Sequence, residues 1–257
     1  NLDPALTLDG SADYLTATTA NFRTADYRGA ISAWIRSDDY VGHSGNQTIF
    51  ASNDTDTSNY YIKIYIGTDG RLWFKYKDSA VYYTLKSTNP ILGDGTWHHI
   101  YVGSTGSTTV MYIDGVNATA IVDASSSIGN NGHWFNDGFA ELDNITIGAQ
   151  TDTSTSAYFK GAIADVRYFN DAAAADAPIL ASKIQVDDSL TSLQAIHHWK
   201  LNSSTISTSG VGDDTGSSTI DLTPTSIVAG NFDYDAFSVN VQDNSTTTDG
   251  TFTVTQG

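Results

Sequence analysis

Two histidine pairs, His98-His99 and His197-His198, are the residues whose types first suggest metal binding or proton transfer. Neighbouring residues in a β-strand point to opposite faces, so one pair by itself cannot hold one ion. The chain has no Cys, which excludes thiolate chemistry and disulfides. It also lacks a Gly-x-Ser-x-Gly segment of the kind that presents a catalytic serine. A metal site built on either pair would therefore need a further ligand from elsewhere in the chain.

Acidic residues are the most numerous charged groups. The chain has 29 Asp and Glu against 12 Lys and Arg, giving a net charge of −17, and Glu141 is its single glutamate. This charge argues against a nucleic-acid partner, because phosphates demand a basic surface. Aspartate favours turns and also supplies the oxygen ligands that calcium prefers, so both interpretations of the excess stay open. Candidate calcium ligands in loops are Asp54, Asp56, Asp213 and Asp214, although none completes an EF-hand loop.

The clearest candidate binding surface follows from alternation in two segments, 60–66 and 71–77, and in the strand after them. In each segment the apolar residues share one face, and aromatic and basic residues share the other. The residues expected on this second face are Tyr61, Lys63, Tyr65, Arg71, Trp73, Lys75, Lys77, Tyr82 and Lys86. Flat aromatic rings stack on sugars or anchor protein interfaces. The sequence therefore predicts a ligand-binding surface; the alternative is an ordinary solvent-facing surface with lysine stems over the rings.

A second candidate binding element is the loop 130–138, in which Trp134 and Phe135 are adjacent. Two neighbouring side chains cannot both point inward from a regular strand. One hypothesis is therefore that one of the two rings is presented to a ligand. The alternative, which we slightly favour, is that the loop folds over one end of the domain as a plug.

A two-residue periodicity runs through most of the chain and predicts strands. The predicted strands are 30–36, 60–66, 71–77, 81–85, 97–102, 109–113, 144–148 and 162–169. Turns at 68–70 and 114–115 follow two of them. One short helix is predicted over 171–183, with Asp171 as its N-cap and Pro178 limiting its length. Many short strands between Gly, Asp and Asn turns are typical of a β-sandwich or jelly roll.

The composition changes after residue 185, which divides the chain into a sandwich of residues 1–185 and a tail of residues 186–257. Weaker strand signals in the tail cover 226–229, 236–241 and 251–255. The tail is expected either to supply a strand to the sandwich or to form a small appended β unit. No run of about 18 apolar residues occurs, so no membrane insertion is expected.

Four groups of segments, in order, resemble the laminin-G-like jelly roll of the concanavalin A-like lectin/glucanase superfamily. They are ALTLDGSADYL at 5–15, GAISAWIR at 29–36, DGTWHHI at 94–100 with MYIDG at 111–115, and IG at 147–148 with FKGAIADVRYF at 159–169. The resemblance covers about residues 5–184. It implies an all-β jelly-roll β-sandwich of two antiparallel sheets with one short helix, and it explains both histidine pairs as framework residues.

The resemblance also implies a site for calcium and an unusual tail. Laminin-G-like domains often hold one structural Ca²⁺, and the matching positions here are Asp9, Asp13 and Asp165. In the tail, segments 195–201 and 213–222 resemble the start of such a domain. This displaced match indicates either a circularly permuted sandwich, which we favour, or a second repeat that is cut short.

Catalysis is not expected, although the superfamily includes β-glucanases. The segment from Glu141 to Thr146 superficially resembles the Glu-x-Asp-x-x-Glu strand of those enzymes, with Thr146 where the second glutamate belongs. A retaining glycosidase needs two carboxyl groups, and a hydroxyl cannot protonate a leaving glycosidic oxygen.

The sequence therefore predicts a non-catalytic binding or structural module that is extracellular, on a cell surface or on a virion surface. Its partner would be a glycan or a protein surface, in an adhesion role or as a phage decoration, tail or fibre protein. A carbohydrate-binding module of a secreted bacterial adhesin is an alternative, and a glycan-active enzyme is the least favoured one. The chain is expected to form a homo-oligomer or part of a larger assembly. Fold class by itself does not decide among these functions.

Overall fold

The computed structural model describes residues 5–18, 26–38, 45–90, 95–118, 120–137, 141–182 and 190–233. Within these ranges the chain forms two large antiparallel β-sheets, one small hairpin and one short helix. Apolar side chains from both large sheets pack into one buried core. The predicted all-β sandwich is therefore confirmed.

The first sheet, sheet A, contains eight strands among the described residues. They are β1 (Ala5–Asp9), β3 (Gly29–Ser37), β8 (His98–Ser104), β9 (Thr109–Ile113), β10 (Val116–Asn117), β15 (Lys160–Phe169), β16 (His197–Trp199) and β18 (Phe232–Asp233). Their order is β10-β9-β8-β3-β15-β1-β18, and β16 also pairs with β15.

The second sheet, sheet B, also contains eight strands in the described ranges. They are β2 (Tyr14–Thr18), β4 (Gln47–Asn53), β5 (Tyr60–Ile66), β6 (Leu72–Asp78), β7 (Val81–Lys86), β11 (Ile121–Val122), β12 (Asn144–Ile147) and β17 (Thr223–Thr225). Their order is β11-β7-β6-β5-β4-β12-β2-β17. The small hairpin joins β13 (Gln150–Thr151) to β14 (Thr155–Ser156).

Alternation decides which face of each strand is buried. In β5 and β6 the side chains of Ile62, Ile64 and Phe74 enter the core, as their spacing predicts. The turn between these strands places Gly70 at φ 69°, and Gly67 N–H donates to Arg71 O at 3.0 Å. The predicted β5–β6 hairpin is therefore confirmed, and it fixes the register of the two strands.

The helix is shorter than predicted. The structure places α1 at Asp176–Leu180, with no side-chain N-cap, so the prediction of a helix capped by Asp171 is wrong. Asp171 Oδ1 instead accepts a hydrogen bond from Ala172 N–H at 2.8 Å. Pro178 lies within the first turn of α1, where backbone N–H groups have no acceptor within the helix, so its missing N–H costs no helical hydrogen bond.

The tail adds strands to both sheets. β15 pairs with β3 on one side, whereas β1 and β16 lie end to end along its other side, at residues 160–163 and 166–168. In addition, β17 pairs with β2 and β18 pairs with β1. Residues 226–229 form no strand, so that prediction is wrong, and 236–241 and 251–255 lie outside the described residues. The domain division at residue 185 stays a prediction.

Both histidine pairs hold the framework together in the same way. His98 Nδ1 and the backbone N–H of His99 contact the two carboxylate oxygens of Asp114 at 2.7 and 2.9 Å. The second pair repeats this arrangement with Asp214, at 2.7 and 2.8 Å. The interpretation of these residues as framework is therefore confirmed. The tail contains the same His-His-Asp arrangement as the β8–β9 hairpin.

Candidate functional site

The outer face of β5, β6 and β7 forms a regular grid of lysine, aromatic and hydroxyl side chains, which we name the lysine–aromatic face. Its three cross-strand rows are Tyr61–Lys77–Tyr82, Lys63–Lys75–Thr84 and Tyr65–Trp73–Lys86. Residues paired in this way lie about 5 Å apart between Cβ atoms. The structure thus brings together eight of the nine residues predicted for this surface, all except Arg71.

The rings of this face make specific contacts. Tyr65 and Trp73 are stacked, with ring centroids 5.9 Å apart and an interplanar angle of 15°. Lys86 Nζ lies 4.8 Å from the centroid of Trp73, and Lys63 Nζ lies 4.8 Å from that of Tyr61. Because Tyr61 and Tyr65 are each only 6% exposed, the rings of this face that a ligand can reach are those of Trp73 and Tyr82, both half-buried.

Lys63 stands in the middle of the face in an environment that disfavours its charge. Burial lowers its pKa to about 8, and neighbouring Lys75 adds to the effect. Its Nζ donates to Gln150 Oε1 at 2.6 Å, and Gln150 Nε2 in turn donates to Asp152 Oδ2 at 2.7 Å. Asp152 acts in the opposite direction on the same pKa, raising it. Lys63 Nζ is therefore held in place by the neutral oxygen of Gln150, and the carboxylate of Asp152 lies on the far side of Gln150.

Two segments border the lysine–aromatic face. On the β4 side lies the β13–β14 hairpin, which contributes Gln150 and Asp152. On the β7 side, Asp123 N–H donates to Thr84 O at 2.9 Å and its carboxylate binds Lys86 Nζ at 2.9 Å. Sequence reasoning missed these three bordering residues, because only the pairing of distant segments brings them to β5 and β7.

Some buried polar atoms on this side of sheet B have no hydrogen-bond partner among the described residues. They are Thr48 Oγ1, Thr84 Oγ1 and the side-chain amide of Asn53. Thr48 pairs with Tyr65, Asn53 with Tyr61, and Thr84 closes the central row beside Lys75. Buried polar groups in folded proteins are normally satisfied, so these atoms are unused hydrogen-bonding capacity next to the lysine–aromatic face.

Arg71 does not join the grid. Its Nη1 donates to Ser87 O at 2.9 Å and to Thr88 O, and its Nε pairs with Asp69 Oδ2 at 3.3 Å. The guanidinium therefore caps the end of the β6–β7 hairpin.

Trp134 and Phe135 are both fully buried in the main core. Trp134 stacks on Phe74 at 5.7 Å, and Phe135 meets Tyr168 edge to face at 5.7 Å. The prediction that one of these rings faces a ligand is therefore wrong. Trp134 and Phe135 belong to an irregular segment rather than a strand. The alternation of side chains between two faces therefore does not apply to them, and the loop packs against the core as a plug.

Of the three aspartates predicted for calcium, Asp9 and Asp13 lie together, with Asp9 N–H donating to Asp13 Oδ2 at 3.2 Å, but Asp165 does not join them. Asp9 pairs with Lys160 across β1 and β15, five residues along β15 from Asp165, a span of roughly 16 Å. Asp9 Oδ1 accepts hydrogen bonds from the N–H groups of Ser11, Ala12 and Asp13, whereas Asp165 binds Arg167 and His198. In the described part of the chain, no three His, Asp or Glu side chains converge as a metal site would require. Calcium binding stays a prediction, which thermal unfolding with and without a chelator would test.

The segment resembling the glucanase strand does not assemble a carboxyl pair at its two key positions. Glu141 is exposed and precedes β12, whereas Thr146 is buried within β12 and donates to Ala149 O at 2.6 Å.

Comparisons with known proteins identify the family. A profile of the concanavalin A-like lectin/glucanases superfamily matches residues 9–177, and this chain belongs to that superfamily, as its motifs predicted. A search of curated proteins found no significant match. No helix among the described residues is long and apolar enough to cross a bilayer.

Solved structures share the fold at low sequence identity. The CBM40 module of the Ruminococcus gnavus IT-sialidase gives a TM-score of 0.54 at 12% identity, covering 70% of this chain and 97% of that one. A putative carbohydrate binding protein from Bacteroides ovatus gives 0.54 at 18%, covering 86% and 58%. The K499G mutant of NanB sialidase from Streptococcus pneumoniae gives 0.53 at 14%, covering 72% and 28%.

Proposed function

We propose that this chain is a non-catalytic, extracellular glycan-binding module and that the lysine–aromatic face is its binding surface. The observation that carries the proposal is the stacked Tyr65–Trp73 pair, flanked by lysines on an otherwise acidic protein. An aromatic ring offers its face to the apolar side of a sugar, while lysine Nζ groups donate hydrogen bonds to hydroxyl oxygens.

The comparisons support this proposal without deciding it. The CBM40 module of Ruminococcus gnavus has been solved bound to sialyllactose, and the Bacteroides ovatus structure is described as a putative carbohydrate binding protein. Both share only the fold with this chain, and one fold carries many functions. Glycan binding by this chain therefore depends on the chemistry of the lysine–aromatic face.

The absence of catalysis is part of the proposal. A retaining glycosidase needs a nucleophilic carboxylate and a second carboxyl group as the acid, about 5 Å apart. The single glutamate of the chain, Glu141, has Thr146 in the position where the superfamily's enzymes would supply its partner. Release of sugar from a bound glycan by the unmodified protein, lost in Glu141→Gln, would contradict this part.

The proposal is tested by replacing the exposed ring of the stacked pair. We expect Trp73→Ala to weaken glycan binding at least roughly tenfold, as removal of a central aromatic anchor does. Binding would be measured on a glycan array and then by calorimetry with the strongest ligand. Trp97→Ala is the matched control, because Trp97 is also half-buried beneath a cation, Arg36 at 5.7 Å, but lies immediately before β8 of sheet A. Equal affinity of Trp73→Ala and the unmodified protein would refute the proposed surface.

A further inference from the structure

We infer that Lys63 and Lys75 in the central row receive an anionic group, so that the saccharide bound by this module carries a carboxylate or a sulfate. This inference rests on the proposed function and adds the charge of the ligand to it. The observation behind it is the direct cross-strand pairing of two lysines on a protein of net charge −17.

Like charges that face each other across two strands destabilise a sheet. Although the chain has 29 acidic residues, the residue opposite Lys63 on β6 is Lys75, and Lys77 lies on the same face. The arrangement is locally unfavourable, as the lowered pKa of Lys63 also indicates. A local conflict of this kind is expected where function requires it.

Among the described residues, Lys86 is the one lysine of the face that pairs with a carboxylate, whereas Lys63 and Lys77 donate to neutral acceptors. Lys77 Nζ donates to Ser58 O and Asn59 Oδ1, both at 3.1 Å, and Lys86 Nζ pairs with Asp123. For Lys63 and Lys75 the described residues provide no ion pair. The central row therefore holds two ammonium groups whose charge the described structure leaves without a partner carboxylate.

The surroundings of the central row suit a sugar with one acidic substituent. Thr84, the third residue of the row, has a buried hydroxyl for which the described part of the chain provides no hydrogen-bond partner. The Tyr65–Trp73 stack lies two residues along the strands, about 7 Å away. A sugar that rests against the exposed part of Trp73 can therefore extend its acidic group to Lys63 and Lys75. Either a uronic or sialic carboxylate or a sulfate ester supplies this chemistry, because each offers several acceptor oxygens to lysine.

The first test compares neutral, carboxylated and sulfated ligands. On an array containing neutral, uronate-bearing, sialylated and sulfated glycans, we expect binding to be confined to anionic members. Calorimetry with polygalacturonate and dextran sulfate, and with neutral dextran, then separates the carboxylate from the sulfate. We expect Lys63→Gln and Lys75→Gln each to weaken binding of the preferred anionic ligand roughly tenfold, the effect of losing a charge-assisted hydrogen bond.

Lys200→Gln is the matched control, because it changes the net charge equally at a residue after β16 in sheet A. Binding of neutral glycans that depends on Trp73 but not on Lys63 or Lys75 would overturn this inference and leave the proposed function intact. Anionic binding that all three glutamine variants reduce equally would also overturn it, since it would reflect net charge alone. Absence of binding to any glycan would overturn both.

The pH dependence gives a second readout. Lys63 is faced by Lys75 and Lys77 on β6, by Asp152 on the neighbouring hairpin, and by the tyrosines on its own strand. Because burial lowers its pKa to about 8, Lys63 loses its proton between pH 7 and 9, and affinity for the anionic ligand should fall over that range. Lys63→Arg keeps its charge and should abolish the fall. A pH profile identical in both proteins would count against Lys63 as the recognising group.

Discussion

Arg167 is fully buried on the outer face of sheet A, where its Nε and Nη2 donate to Asp165 Oδ1 at 3.2 Å. His198 Nε2 contacts the same oxygen at 2.5 Å, which ties the tail strand β16 to β15. Asp165 sits at φ 54°, where the pairing of β15 with β3 shifts register, so its side chain is placed by a bulge. Nearby His99 is neutral at pH 7, because burial lowers its pKa to about 4.

Removal of Arg167 should reveal the cost of a buried carboxylate without its cation. We expect Arg167→Leu to lower the free energy of unfolding by about 3–5 kcal/mol, since Asp165 would stay buried with much of its compensation gone. Arg28→Leu is the control, because its pair with Asp171 is exposed and should contribute about 0–1 kcal/mol. Urea unfolding would measure both. A loss no larger than that of the control would show that the network tolerates the missing cation.

Asp9 should make stability depend on acid. Burial raises the pKa of Asp9, but hydrogen bonds from Ser11 and from backbone N–H groups outweigh burial and lower it from 3.8 to about 2. Its stabilising effect is therefore fully present above about pH 4 and disappears as the pH falls through about 2. We expect the difference in melting temperature between the unmodified protein and Asp9→Asn to be largest near pH 5 and to shrink towards pH 2. A constant difference over this range would contradict the lowered pKa.

At the scale of elements, β16 lies outside the matched family profile of residues 9–177 yet contributes to the core of the sandwich. Its Trp199 is fully buried, stacks on His197 at 5.4 Å and donates from Nε1 to Ile220 O at 2.8 Å. Its neighbour across the core is Phe50 of β4, with ring centroids 6.5 Å apart. The tail thus fills space between the sheets as well as extending their edges.

A substitution in β16 tests whether the tail is structurally required. We expect Trp199→Ala to reduce the free energy of unfolding by about 3–5 kcal/mol, the usual effect of deleting a large buried side chain. Trp97→Ala, at a half-buried position, should lose clearly less. If Trp199→Ala and Trp97→Ala lowered the free energy of unfolding equally in denaturant, β16 would not be required for the stability of the sandwich.

Local alternation predicted the strands that carry the lysine–aromatic face, because hairpin neighbours determine each other's register. It missed β4, whose seven residues are all buried and therefore show no alternation. The bordering residues Gln150 and Asp123 could not be found in the same way, since Gln150 is 87 residues from Lys63 in the sequence and Asp123 is 37 residues from Lys86. Trp134 was misassigned because a rule for strands was applied to a loop.

At the scale of the whole molecule, the acidic surface and the lysine–aromatic face are opposite in charge. With a net charge of −17, copies of the chain repel one another in dilute salt, while the lysines of one copy could meet the acids of another. The predicted homo-oligomer or larger assembly stays a prediction. We expect native mass spectrometry to detect species larger than one chain. Monomers alone at micromolar concentration would argue against self-assembly and leave glycan recognition untouched.

The shared edge of β15 has a consequence for the order in which the chain can fold. Residues 160–163 are paired by β1 and residues 166–168 by β16, and Leu6 also meets Phe232 across β1 and β18. A nascent chain therefore exposes one half of its central strand until β16 has left the ribosome. The pairings of Leu6 with Ile163 and with Phe232 join residues much further apart in sequence, and such pairings form slowly. The newly made protein therefore passes through a period with an open sheet edge, to which a chaperone or another copy can pair.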